Sequence, residues 1–189
     1  MSQINIEVDQ QDLHRVMSKL KDMEKAPRHL RNAINRTATV AMRMIKQGRS
    51  KGYTVKTGRF NQDLGKIQRA TPEHLDATIH AKGKPPTLQN FKTSYPKAGG
   101  KADITKSGLK KLVTETGGAA FMPSGGKAAG LMAQRKGSER YPIKVLYGNS
   151  VPKMVEQIYK GERGGQGDME KIIKRRLHDE IQAEIAKIM

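Results

Sequence analysis

Apolar and polar residues alternate from Ile4 through Ile6 to Val8, with Asn5 and Glu7 between them, and this period of two predicts a short strand with one buried face. The period then lengthens. From Asp9 or Gln10 onward Leu13, Val16, Met17 and Leu20 recur at helical spacing. Pro27 interrupts them, and because a proline is at home in a first helical turn, a new helix or a kinked continuation is expected to start there. One face carries Leu30, Ala33, Ile34, Thr37, Ala41, Met44 and Ile45; the other carries Arg28, Arg31, Arg36, Arg43 and Lys46. Gly48 supplies a C-terminal stop. Tyr53-Thr54-Val55 is strand-like, and Asn61 offers a cap for a short helix. Leu75, Ala77 and Ile79 then alternate with Asp76, Thr78 and His80, a strand ended by Gly83-Lys84-Pro85-Pro86 and followed by a compact turn at Leu88 to Phe91.

The stretch from Leu131 to Val155 reads as strand, basic turn, strand and helix start. Leu131 to Arg135 is a short apolar–polar run, and Lys136-Gly137-Ser138-Glu139-Arg140 supplies the polar residues and the glycine of a tight connection. Ile143, Val145 and Tyr147 then share one strand face, with Lys144 and Leu146 on the other and Pro142 at the strand's start. Gly148-Asn149-Ser150 breaks the strand; Ser150 suits a helix N-cap with Pro152 in the first turn.

Regularity fades in between. Residues 93–103 form a loop, Asp103 to Lys106 suits a strand, and Leu109, Leu112 and Val113 mark either a strand or a single turn. A second long loop spans 114–130, where five glycines flank a short strand at Ala119-Ala120-Phe121-Met122; those flanks are expected to be extended or mobile in the isolated chain.

After a helix over residues 151–159, the segment GERGGQG at 161–167 reads as a hinge, and Asp168 caps a last helix. Its stripe is Met169, Ile172, Ile173, Leu177, Ile181, Ile185 and Ile188. Cations (Lys171, Lys174, Arg175, Arg176) come early on its polar face and carboxylates (Asp179, Glu180, Glu184) late, against the helix dipole. Local electrostatics does not explain this helix. Its stripe must be buried, either on the domain or on a neighbour. The sum is an α+β fold: a small antiparallel sheet of about four strands flanked by N-terminal and C-terminal helices, with long glycine-rich loops. Residues 1–160 form a single domain, 161–167 a hinge and 168–189 a C-terminal amphipathic helix.

Composition sharpens this. Thirty-six Lys and Arg against 18 Asp and Glu leave a net charge of +18, which predicts attraction to polyanions or acidic protein surfaces. The charge is spread: residues 41–70 hold eight Lys or Arg against Asp63 alone. Cysteine is absent, which excludes disulfides, thiolate metal sites and cysteine nucleophiles. The first ten residues lack the pattern of a secretory signal, and no run approaches the roughly 18–20 apolar residues of a membrane span, so a soluble protein with no membrane partner is expected.

The candidate chemistry is sparse. His14, His29, His74, His80 and His178 show no paired ligand spacing, so surface or core-edge histidines are expected and no metal. Ser124-Gly125-Gly126-Lys127 resembles a phosphate loop, but Ala128 stands where Ser or Thr belongs. Asp179, Glu180 and Glu184 could mimic a nuclease cluster, yet their spacing suits a solvated helix face. No Ser-His-Asp or paired-carboxylate arrangement stands out, so the chain reads as non-enzymatic, with no cofactor. Few aromatics interleave with the basic runs, and no helix-turn-helix, zinc-finger or RNA-recognition signature is present, which favours an interface or DNA-adjacent surface over sequence-specific binding.

Four blocks carry a resemblance: AINRTA at 33–38, KGYTVKTGRF at 51–60, LDATIHAKGKPPTLQNF at 75–91 and QRKGSERYPIKVLYGNSVPKM at 134–154. In this order and spacing, over residues 30–160, the chain resembles the prophage minor tail protein Z family of tailed bacteriophages. The resemblance implies a structural virion protein with a tail-terminator-like fold, a tail-completion protein at the head-proximal end of the tail. It would form part of the neck ring through which DNA passes, help join tail to head, and carry no catalytic residues. Implied partners are copies of itself in a ring, a hexamer first, then the tail terminator and tail tube proteins, head connector or stopper proteins, and genomic DNA bound non-specifically in the lumen. Implied locations are the virion neck and, during assembly, the host cytoplasm. A channel that DNA traverses should not grip phosphates, so most cations are expected to face partners or the outer wall. The DNA-proximal or partner-facing minority is assigned to Arg49, Lys51, Lys56, Arg59, Arg135, Lys136 and Arg140, and an oligomer interface to Ile173, Leu177, Ile181 and Ile185. The alternative is a small basic non-specific DNA-binding protein; a nuclease ranks last.

Overall fold

A computed structural model describes residues 2–7, 25–114 and 118–187. The helix expected over 9–24, together with Val8, His14 and Ile188, lies outside the described residues. The helix predicted from Pro27 is the longest element, α1, Ala26–Gly52. Steps of three and four along it bury Leu30, Ala33, Ile34, Thr37, Ala38, Ala41, Met42 and Ile45. Gly48 does not stop it. The helix runs one turn further, to Gly52, and this glycine serves instead as a contact point: a Cβ there would sit 2.4 Å from Ile158 Cγ2 and 3.3 Å from Gly164 O. The chain leaves α1 in extended conformation at Tyr53.

Three elements cover α1. Strand β1 (Ser2–Glu7) and the two-residue β2 (Ile67–Gln68) flank β3 (Asp76–Ala81) in an antiparallel sheet of order β1-β3-β2. Ile4 opposes Ile79 and Ile6 opposes Ala77, so the alternation read in both segments places these four side chains in the core. Helix α3 (Val151–Tyr159) starts as expected, with Ser150 Oγ accepting from Lys153 N and Pro152 in the first turn. Helix α4 (Met169–Ile185) lies along α1, capped by Asp168, whose side chain accepts from the N–H groups of Glu170 and Lys171. A short α2 (Thr57–Leu64) closes the near side with Phe60 and Leu64. Lys56, not Asn61, holds its N-cap position, and Asn61 lies mid-helix.

The remaining strands are short. β4 (Lys92–Ser94), β5 (Lys101–Asp103) and β6 (Lys110–Lys111) form a second antiparallel sheet, and β7 (Ala133–Arg135) with β8 (Ile143–Val145) a third. The single sheet of about four strands is therefore replaced by three sheets of three, three and two strands among the described residues. Glycine and proline punctuate residues 83–148 so often that no strand there exceeds three residues, too short to extend the first sheet. β5 ends at Asp103, where a strand was expected to begin; Tyr53 to Val55 is extended but unladdered, with Thr54 N–H donating to Ile104 O. Ala119 to Met122 contributes only two bridges, Ala119 to Val113 and Phe121 to Ala133.

The predicted hairpin forms, with Ala133 opposite Val145 and Arg135 opposite Ile143. Its connection is longer than a tight turn, residues 136–142, closed by Lys136 N–H on Pro142 O and containing a cis peptide between Tyr141 and Pro142. The strand also ends before Tyr147, which is 57 % exposed instead of sharing the face of Ile143 and Val145. Leu88, Phe91, Ala102, Ala120 and Met132 join the helices and the first sheet in one continuous core.

Candidate interaction surfaces

The stripe assigned to an oligomer interface lies inside the molecule. Ile173, Leu177, Ile181 and Ile185 are 4–8 % exposed and packed in the chain's own core. Of the two burial partners open to this helix, the domain itself supplies the cover, because α1 presents a matching apolar face along its length. These four residues are therefore core, not a surface for a neighbouring copy.

Of the three α4 carboxylates expected on a solvated face, Asp179 is exposed, but Glu180 and Glu184 are not. Glu180 and Glu184 are buried, Glu184 only 3 % exposed. Arg36, one turn-face of α1, donates from Nε to Glu180 Oε2 at 2.6 Å and from Nη2 to Glu184 Oε1. Arg176 donates to Glu180 Oε1 at 2.5 Å, Lys187 to Glu184 Oε1 at 2.6 Å, and His29 Nδ1 lies 2.7 Å from Glu184 Oε2. Burial pushes the Glu184 carboxyl up, but the hydrogen bonds from Lys187, Arg36 and His29 outweigh it and hold the group down at about 2. This network resolves the charge order that opposed the helix dipole: the late carboxylates are matched across the α1–α4 seam. Among the other histidines, His80 Nε2 lies 2.9 Å from Gln68 Oε1, and His74 and His178 are exposed.

The first basic group divides. Arg49 turns inward: its guanidinium donates to Val55 O and Thr57 Oγ1 and stacks 5.8 Å from the Phe60 ring centroid. Arg59 is held by Asp63 at 2.8 Å, one helical turn on. Both tie α2 and its entry together; Asp63 offsets the charge of Arg59, whereas the partners of Arg49 are neutral. Lys51 and Lys56 are exposed, and Lys51 joins Arg43 and Lys46 along a shallow basic groove of about 620 Å³ on the outer face of α1.

The second group is free. Arg135, Lys136 and Arg140 are exposed on the β7–β8 hairpin. The Arg135 guanidinium sits 5.7 Å from the Phe121 ring and that of Arg140 5.9 Å from the Tyr141 ring, distances at which a cation is attracted to the ring face. Both line a cleft of about 690 Å³ floored by Phe121, Ile143 and Val145 and walled by residues 122–128. That wall contains Ser124-Gly125-Gly126-Lys127, which forms successive turns closed by Ala129 N–H on Gly126 O and Gly130 N–H on Pro123 O, with no helix following as a phosphate loop requires. Met122 also lines a second hollow with Tyr95 and Gly99, so exposed apolar surface continues past the cleft. Pattern gives Phe121 and Met122 only a place in a short strand and gives Tyr141 no role in a site. The adjacency of Arg140 to Tyr141 was the available signal; the pairing of Phe121 with Arg135 depends on a bridge that periodicity does not encode.

Compared with known family models, curated proteins and solved structures, the chain matches none of them.

Proposed function

We propose that this chain is a structural component of a phage tail neck: a tail-completion protein of the minor tail protein Z type, assembled as a ring at the head-proximal end of the tail and helping to join it to the head. The four resembling blocks support this reading, since they coincide with the framework elements: the middle of α1, the α1–α2 joint, β3 through the turn at Leu88, and the hairpin with the start of α3. The observation that carries most weight is the contrast within one chain. A closed helix–sheet core accompanies a part built of strands of two or three residues, 92–148, that leaves Tyr95, Leu109, Val113, Met122, Tyr141 and Tyr147 exposed. Such surface suits a subunit that finishes its burial on neighbours. With the α4 stripe internal, subunit contacts fall to this part instead. Its role is structural, not catalytic, in a ring that is a hexamer at first expectation, between tail terminator and tube proteins on one side and head connector or stopper proteins on the other. The test is deletion of the gene followed by electron microscopy of lysates, expected to show full heads and finished tails unjoined. Normally joined virions would overturn the reading.

A second reading, a small basic non-specific DNA-binding protein, is favoured by the charge of +18 and the groove of Arg43, Lys46 and Lys51. It requires duplex affinity that falls steeply with salt, in a monomer or dimer.

A further inference from the structure

We propose that the cleft between the turns at 124–130 and the β7–β8 hairpin docks an extended acidic segment of a partner protein, with an apolar side chain on Ile143 and Val145 and carboxylates on Arg135 and Arg140. This deepens the reading above by giving the chemistry of one neighbour, and rests on that reading only for where the neighbour sits.

Three features converge on that occupant. The residues lining the cleft include Lys127, Arg135 and Arg140 but no carboxylate. None of these three forms an ion pair among the described residues, whereas exposed lysines on the helices, such as Lys153, Lys160 and Lys174, pair with a glutamate three or four positions away. The cleft cations are thus left for an anion from outside. Second, the guanidinium groups of Arg135 and Arg140 lie over aromatic rings. That placement biases long side chains toward one position before binding and leaves their N–H edges for the bidentate grip that carboxylates accept. Third, β8 is an edge strand. β7 is bridged on its far side by Phe121, and Tyr147 beyond β8 is bridged by Thr87, but among the described residues no further strand pairs with Ile143–Val145. An extended peptide can add there by main-chain hydrogen bonds while its alternate side chains reach the apolar floor.

The same features argue against other occupants. A second copy of a chain carrying +18 would bring charge of the same sign. A nucleic acid would satisfy the arginines but would have no use for a strand edge or for Ile143 and Val145.

The experiment uses the full chain and a dye-labelled octapeptide alternating glutamate with leucine, followed by fluorescence anisotropy and by amide exchange. The expected Kd is on the order of tens of micromolar, weakened at least about tenfold in Arg135→Ala and in Arg140→Ala. Lys136→Ala, on the same hairpin but not lining the cleft, should change affinity little, and the glutamine version of the peptide should not bind. Exchange at residues 143–145 should slow in the complex. Both arginines are exposed, so circular dichroism of the variants should match that of the parent. Equal binding of the glutamine peptide, unchanged affinity in both arginine variants, or binding without protection of 143–145 overturns the proposal. So does arginine-dependent binding of an oligonucleotide where the peptide fails. Loss of peptide binding in a protein that still assembles on tail ends would remove this site alone and leave the tail-neck reading intact.

Discussion

Glu184 shows how one residue can settle an element that sequence leaves unexplained. Its carboxyl is held at about 2 instead of the ordinary 4.5, against the cost of burial, by donors from Lys187, Arg36 and His29. A carboxyl depressed in the folded state adds stability above its unfolded pKa, and that stability fades as pH falls toward the folded value. The window therefore runs from about 4.5 down to about 2. The difference is worth up to about 3 kcal/mol, discounted because Arg36 is partly in water. Urea midpoints measured between pH 6 and pH 3 should fall steeply in the parent. Glu184→Gln should flatten most of that slope, and a slope unchanged by the substitution would contradict the assignment. Gly164 makes a second residue-scale case. Its φ is +70°, and a Cβ there would lie 2.2 Å from Gly48 O and 2.7 Å from Gly52 N, both backbone atoms that cannot swing aside. Gly164→Ala should destabilise by about 3 kcal/mol or more, read as a lowered thermal midpoint, because left-handed strain and overpacking add.

At the scale of elements, α4 is where pattern and structure diverge most usefully. Periodicity located its apolar stripe correctly, at Ile173, Leu177, Ile181 and Ile185, but a stripe does not say what covers it. The cover comes from α1, where His29 and Arg36 meet Glu184 and Glu180 across contacts 144 to 155 positions apart that no local period encodes. Leu177→Asp should accordingly cost the fold and not merely an assembly: circular dichroism should show loss of helix, whereas a soluble, folded chain of lower mass would point back to an interface between copies. The hairpin was legible because turn residues and alternation agreed across Leu131 to Val145. Residues 92–122 were not, since strands of two or three residues carry too few positions for any period to show. The cleft was half legible: Arg135 and Arg140 stood out as charge and Tyr141 adjoins Arg140, while the ring beneath Arg135 is placed by the bridge of Phe121 to Ala133.

For the whole molecule, the division between a closed core and an open, glycine-punctuated part governs what assembly must supply. A charge of +18 opposes any ring made of copies alone, so the proposed tail-neck assembly requires acidic neighbours or lumenal DNA to offset it. Native mass measurement should show a small species for the purified protein and stable incorporation once tail ends are added. A tight, salt-sensitive complex with duplex DNA and no affinity for tails would favour the second reading.

The seam between the first and last long helices has a bearing on how the protein is made. Arg36 meets Glu180 and Glu184 across 144 and 148 positions of sequence, so the ribosome releases the arginine long before its partners exist. Until α4 has been made, the nascent polypeptide presents the apolar face of α1 bare and Arg36 without its carboxylate partners. The arrival of α4 is therefore what lets α1 cover its apolar face.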